Sequence, residues 1–149
     1  MNDLPGKLIG LAIAFALLVG APFVCATVES EMLDRRHVVI DVCNFIDEVV
    51  DSRQITDSMI DELNVNLASY GMQVNYEVVR YARNVDSDPL KSGGYYVSYV
   101  PVNDWDFEKG DKISVHVWVT GYSTAEGLSH KISGMYVKQF DETFTARVR

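Results

Sequence analysis

Charged and apolar positions are unevenly spread along this chain. From Leu8 to Val28, "LIGLAIAFALLVGAPFVCATV", no side chain carries a charge. Twenty-one such residues, at ~1.5 Å each, make a helix of roughly 31 Å, close to the ~30 Å hydrocarbon core of a bilayer. A retained transmembrane anchor is the expectation. A cleaved signal is the alternative, because Val24-Cys25-Ala26 has a small-x-small form, although signal apolar regions usually run only about 7–15 residues. A helix buried inside a core is the third reading, and a small domain rarely surrounds so long an uncharged helix on every side.

Beyond Val28 the pattern becomes amphipathic. Glu29 to Arg53 contains neither glycine nor proline. Met32, Val39, Val42, Cys43, Ile46, Val49 and Val50 recur at steps of three, four and seven, with Val38 and Phe45 widening the stripe. This spacing predicts a helix with one face to bury, and it places Cys43 in the core. Pro22 is expected to kink the helix without ending it, so one continuous helix is predicted from about Leu8 to Ser52. A second helix follows, with Thr56 as N-cap, Asp57 and Asp61 near its positive end, and Met59, Ile60, Leu63, Leu67 and Tyr70 on its apolar face. Gly71 is the expected stop.

After Gly71 the period switches to two. "MQVNYEV" sets Met72, Val74, Tyr76 and Val78 on one face, and "YYVSYVPV" after Gly93-Gly94 is a second strand. "KISVHVWVT" alternates Ile113, Val115, Val117 and Val119 with polar partners. The C-terminal "GMYVKQFDETFTARVR" holds one long strand or two short ones, with Phe144, Ala146 and Val148 sharing a face. Loops are expected at Asn84–Ser92 and Asn103–Lys109. The predicted fold class is α+β: a long N-terminal helix, a short second helix, and three or four antiparallel strands with an apolar face that the helices cover. The expected division is a transmembrane segment over residues 1–28 and one α+β domain over 29–149.

Charge narrows the partners. The 149-residue chain has 21 acids, 13 Lys and Arg, and a net charge of −8, and only Asp3 and Lys7 among these residues precede Glu29. An acidic domain without a basic run excludes nucleic acid as an expected partner. Cys25 and Cys43 are eighteen residues apart, so on one helix they sit about 27 Å apart and cannot form an intrachain disulfide.

No catalytic or metal constellation emerges, and neither an enzyme nor a cofactor is expected. His37, His116 and His130 are scattered, and His116 lies on the polar face of its strand. Ser123 in "GYSTAEG" lacks the second glycine of a nucleophile elbow. Asp104, Asp106 and Glu108 alternate as the first ligands of a calcium loop do. Gly110 comes one position late, however, and Val115 stands where the closing glutamate belongs, so a solvated acidic turn is expected.

The layout, carried by Leu8–Val28, by "NFIDEVVDSRQITDSMIDELNVNLASYG" and by "FEKGDKISVHVWV", resembles that of type IV pilin-like proteins, in particular the TadE-like pseudopilins of bacterial tight-adherence and related secretion systems. The resemblance implies a minor pilin or pseudopilin that assembles through its first helix into a surface filament or secretion apparatus. It also implies a single-pass cell-membrane location with the C-terminal domain outside the cytoplasm. Membrane lipid and other pilin-like subunits or secretion-system membrane proteins would be the partners. The residues five beyond Gly6, Gly10 and Gly20 are Leu11, Phe15 and Cys25, so the glutamate usual after a prepilin cut site is missing; an unprocessed minor component, or a scaffold that stays in the membrane, is the reading that follows. Gly10, Ala14, Gly20, Pro22 and Cys25 are the expected helix-assembly face, small residues that let helices approach. A monomeric membrane-anchored binding or adaptor module is the alternative.

Overall fold

The computed structural model describes residues 4–70, 72–88, 90, 93–121, 127, 131 and 139–149. Helical conformation runs without interruption to Ser52: α1 (Leu4–Phe15), a π-helical turn (Ala16–Gly20) and α2 (Ala21–Ser52). The π-turn has a local cause. Pro22 has no N–H and its ring collides with the carbonyl one turn earlier, which a wider turn relieves. Ala21 N–H still donates to Leu17 C=O, so the ladder resumes just before the proline.

The chain divides into two compact units, one holding the N-terminal helix to Arg35, the other holding residues 36–121 and 138–149. In the second unit, α2 from Arg36 onward and α3 (Asp57–Ala68) accompany a four-stranded antiparallel sheet. Its strands are β1 (Val74–Ser87), β2 (Tyr95–Val102), β3 (Lys112–Val119) and β4 (Asp141–Arg147), in the order β2-β1-β3-β4.

The core is the meeting of three stripes. Val38, Val42, Phe45, Ile46 and Val49 come from α2; Met59, Leu63 and Leu67 from α3; Ile113, Val115, Val117 and Val119 from β3. The β3 alternation is complete, buried at each of those four positions and half-buried at Ser114, His116 and Trp118 between them. Val74, Tyr76 and Val78 stand opposite Val119, Val117 and Val115 in the register, which puts them on the same face.

Thr56 caps α3 as expected, its Oγ1 accepting from Met59 N–H at 3.4 Å. Gly71, Ser123, His130 and the first five residues of the "GMYVKQF" stretch, Gly134–Lys138, lie outside the described residues.

Three expectations are corrected. Cys43 is exposed, not core, and Met32, placed on the same stripe, is 68% exposed. The buried line follows Val38, Val42, Phe45 and Val49, at steps of four, three and four, and Cys43 lies about 100° round the helix from Val42. The two residues read as widening the stripe, Val38 and Phe45, are its centre. The third correction is the loop expected from Asn84, since β1 continues to Ser87, paired with β2 from Arg80↔Val102 to Ser87↔Tyr95. The alternation fades there because the buried place at Arg80 is polar and the strand beyond it runs out past the core, with Asn84 exposed.

Candidate assembly surfaces and the cleft beside the sheet

The first surface is the N-terminal helix. The Pro5–Ser52 helix, 48 residues long, contains an apolar window of membrane-crossing length, and none of that window is buried within the chain. By length and composition it fits a single membrane span or a signal sequence. Of the expected assembly residues, Gly10, Ala14, Pro22 and Cys25 are exposed and Gly20 is half-exposed. A Cβ added at Gly10 or Gly20 would meet nothing within 4 Å among the described residues. Cys25 and Cys43 are both free thiols.

The second feature lies at one end of the sheet and begins with a buried ion pair. Arg80 and Asp111 are 6% and 2% exposed. Asp111 Oδ2 accepts from Arg80 Nε at 3.0 Å, Arg80 Nη2 at 2.7 Å and Glu108 N–H at 2.9 Å, while its Oδ1 accepts from Arg83 N–H at 2.9 Å. Burial alone would raise the Asp111 carboxyl; the backbone donors Arg83 and Glu108, with Arg80, outweigh it and hold the group below its ordinary value. Burial likewise opposes the charge of Arg80, but its bonds to Asp111 and Asp104 keep the guanidinium above its ordinary value. The Arg80 guanidinium also sits 5.4 Å from the centre of the Phe107 ring.

This brace explains the acidic turn. Asp104 takes Arg80 Nη1 at 2.9 Å on one oxygen and Asp106 N–H at 3.1 Å on the other. The alternation that resembles a calcium loop is therefore used internally at Asp104. Among the described residues, no group of three or more His, Cys, Asp or Glu is placed to hold a metal ion.

The brace also sets Gly110. Its φ of +101° disfavours other residues, and an added Cβ would fall 2.9 Å from Arg83 Cδ, 3.2 Å from Arg83 Nη1 and 3.5 Å from Arg147 Nη2. Two guanidinium groups thus converge over one glycine. They line an open cleft of about 790 Å³ together with Lys109, Arg149, Asp47 and Asp51. Among the described residues, no acid lies within ion-pair distance of Arg83, Lys109 or Arg147. Planar guanidinium forks match carboxylate and phosphate oxygens, so the cleft is a cationic spot on an acidic chain.

Elsewhere on the sheet, His116 Nε2 lies 2.8 Å from Asp141 Oδ1, and its ring is 4.8 Å from Trp118. Both are half-buried on the face opposite the core. His116 lies on the polar face, as expected, with one polar and one aromatic neighbour.

Sequence reasoning found the uncovered helix and missed the cleft. Arg83, Lys109 and Arg147 are too far apart in sequence to register as a patch, and only the antiparallel register brings β1 and β4 to the same end of β3. Compared with known proteins, the chain matches no family model, no curated protein and no solved structure.

Proposed function

We propose that this chain is a pilin-like structural subunit, held in a membrane by residues 8–28 and carrying its α+β domain outside the cytoplasm. In this reading it works by assembly and not by catalysis, meeting other copies or related subunits through its first helix. The carrying observation is the uncovered apolar helix, which continues without interruption into the α2 segment that supplies the core of the second unit. Apolar helices in lipid associate through close dispersion contacts, which Gly10, Ala14 and Gly20 permit.

The test uses the full chain in its membrane, with Cys43→Ser leaving Cys25 as the single thiol. Oxidation is expected to link copies at Cys25, and the Ala14→Leu/Gly20→Leu variant, which stays apolar and inserts, is expected to link several-fold less. Intact mass should include the N-terminal segment. Soluble chains beginning at Thr27 would show instead that the segment is a cleaved signal, and absent or unchanged linking would remove the assembly reading.

A second reading, a monomeric membrane-anchored binding or adaptor module, is favoured by one observation. Arg83, Lys109 and Arg147 at the cleft, which have no acid within ion-pair distance among the described residues, suit an acidic group on a partner. It becomes the better account if Cys25 linking is absent and the retained chain stays monomeric.

A further inference from the structure

We propose that the cleft at Gly110 is an oxyanion site, in which Arg83 and Arg147 together hold one carboxylate or phosphate group. The inference rests on the cleft of the second reading and deepens it by naming the ligand's chemistry. Every lining residue belongs to the second unit, so nothing here depends on assembly through the first helix.

The spacing of the two guanidiniums carries the argument. Arg83 Nη1 and Arg147 Nη2 lie 3.2 and 3.5 Å from one point, the place of a Cβ on Gly110. They are therefore at most about 6.7 Å apart, the sum of those distances. Among the described residues, neither has an acid within ion-pair distance. Two like charges that close repel, and an anion between them replaces one repulsion with two attractions. A single oxygen at charge-assisted hydrogen-bond lengths spans nitrogens about 5.5 Å apart, and two oxygens of one carboxylate or phosphate span more.

The backbone beneath the pair is fixed by Asp111. Its Oδ1 accepts from Arg83 N–H at 2.9 Å, and its carbonyl accepts at 2.9 Å from the N–H of Val148, the neighbour of Arg147. Gly110 N–H donates in turn to Val148 C=O at 2.9 Å. Asp111 and Val148 are buried, while Arg83 and Arg147 are exposed. The two side chains thus leave a buried frame and end in solvent, where a ligand reaches them without reordering the backbone.

Charge is local here. The net −8 of the chain opposes an anion at a distance, but exposed charges beyond about 8 Å are largely screened at physiological salt. Within the cleft Arg83, Lys109, Arg147 and Arg149 outnumber Asp47 and Asp51 by two. The two acids, one helical turn apart on α2, weaken the hold on a highly charged anion. The volume of about 790 Å³ is that of a small-molecule site.

The test titrates the full chain, in an uncharged detergent at constant ionic strength, with inorganic phosphate and separately with acetate. Amide resonances of Arg83, Gly110 and Arg147 are expected to shift saturably with at least one of them. Tighter phosphate assigns a phosphoryl ligand; acetate as tight or tighter assigns a carboxylate. Arg83→Gln and Arg147→Gln are each expected to weaken binding about tenfold, with the thermal midpoint unchanged. Arg36→Gln, at an exposed position outside the cleft, should bind as the parent does, and Asp47→Asn/Asp51→Asn several-fold more tightly. A chain that binds phosphate yet finds no partner protein would keep the site and remove the second reading. No saturable shift with either anion overturns the proposal. Parent-like binding by both Arg83→Gln and Arg147→Gln also overturns it, as does equal weakening by Arg36→Gln, which would mark a response to net charge alone.

Discussion

The two halves of the long helix share a conformation and differ in what lies beside them. Leu8, Leu11, Phe15 and Leu18 are exposed over the first, while Val38, Val42 and Val49 have no accessible surface in the second. Their composition tells why. An all-round apolar surface cannot be covered by one sheet, and residues 8–28 fit a single membrane span or a signal sequence by length and composition. A one-sided stripe needs only the sheet and α3. Helix propensity is therefore uninformative about function here, and the circumference of the apolar surface is the telling quantity.

The largest expected effect breaks the second half while sparing the first. Val42→Asp buries an unpaired carboxylate in the core and should cost about 4 kcal/mol or more, abolishing the cooperative thermal transition of the sheet-bearing unit. Leu11→Asp should leave that transition in place and reduce membrane insertion instead, since aspartate at the centre of a span costs about 2.5–3.5 kcal/mol. If Leu11→Asp also removed the transition, the two halves would not be independent.

Next in size is the brace. Asp111→Ala leaves Arg80 buried without its main partner and should destabilise by about 3–5 kcal/mol in denaturant titrations. The sign of the pH effect follows from the depressed Asp111 carboxyl. Between the unfolded value near 4 and the lower folded one, the unfolded chain binds a proton that the folded chain does not. Its contribution is therefore complete above about pH 4 and is lost as pH falls through the folded value. Asp111→Asn should flatten that acid limb; an unchanged limb would show that other carboxylates govern it.

The smallest effect concerns the end of α2. Arg53 has φ +59°, a position glycine fills more readily, although its Nη2 reaches Arg149 C=O at 2.9 Å. Arg53→Gly should shift the urea midpoint upward by no more than the equivalent of about 1 kcal/mol. A clear downward shift would mean that the bond to Arg149 outweighs the backbone strain.

What was legible in the sequence was whatever a single periodicity controls. The β3 alternation, the α3 stripe with its Thr56 cap, and the unbroken helix through residue 52 all follow from local spacing. The second half of β1 was hidden because Arg80 occupies a core-facing place, and a buried arginine reads as a surface residue until Asp111, thirty-one positions away, is seen beside it. Cys43 was misplaced because a wide apolar stripe does not reveal its own centre.

The π-turn at Ala16–Gly20 has a consequence for how the first helix is indexed. A π-turn amounts to one inserted residue, which sets back everything after it by about 100°. On an unbroken wheel Gly10, Ala14, Pro22 and Cys25 spread over roughly 120°; with the set-back they gather within roughly 80°. Pro22 thereby acts as a phase shifter, and residues on the two sides of the turn belong to wheels that must be drawn separately. Deleting one residue of the turn would cancel the insertion and leave Leu8–Phe15 oriented as before relative to Cys25, whereas a deletion between Phe15 and Cys25 that kept the turn would rotate them by about 100°.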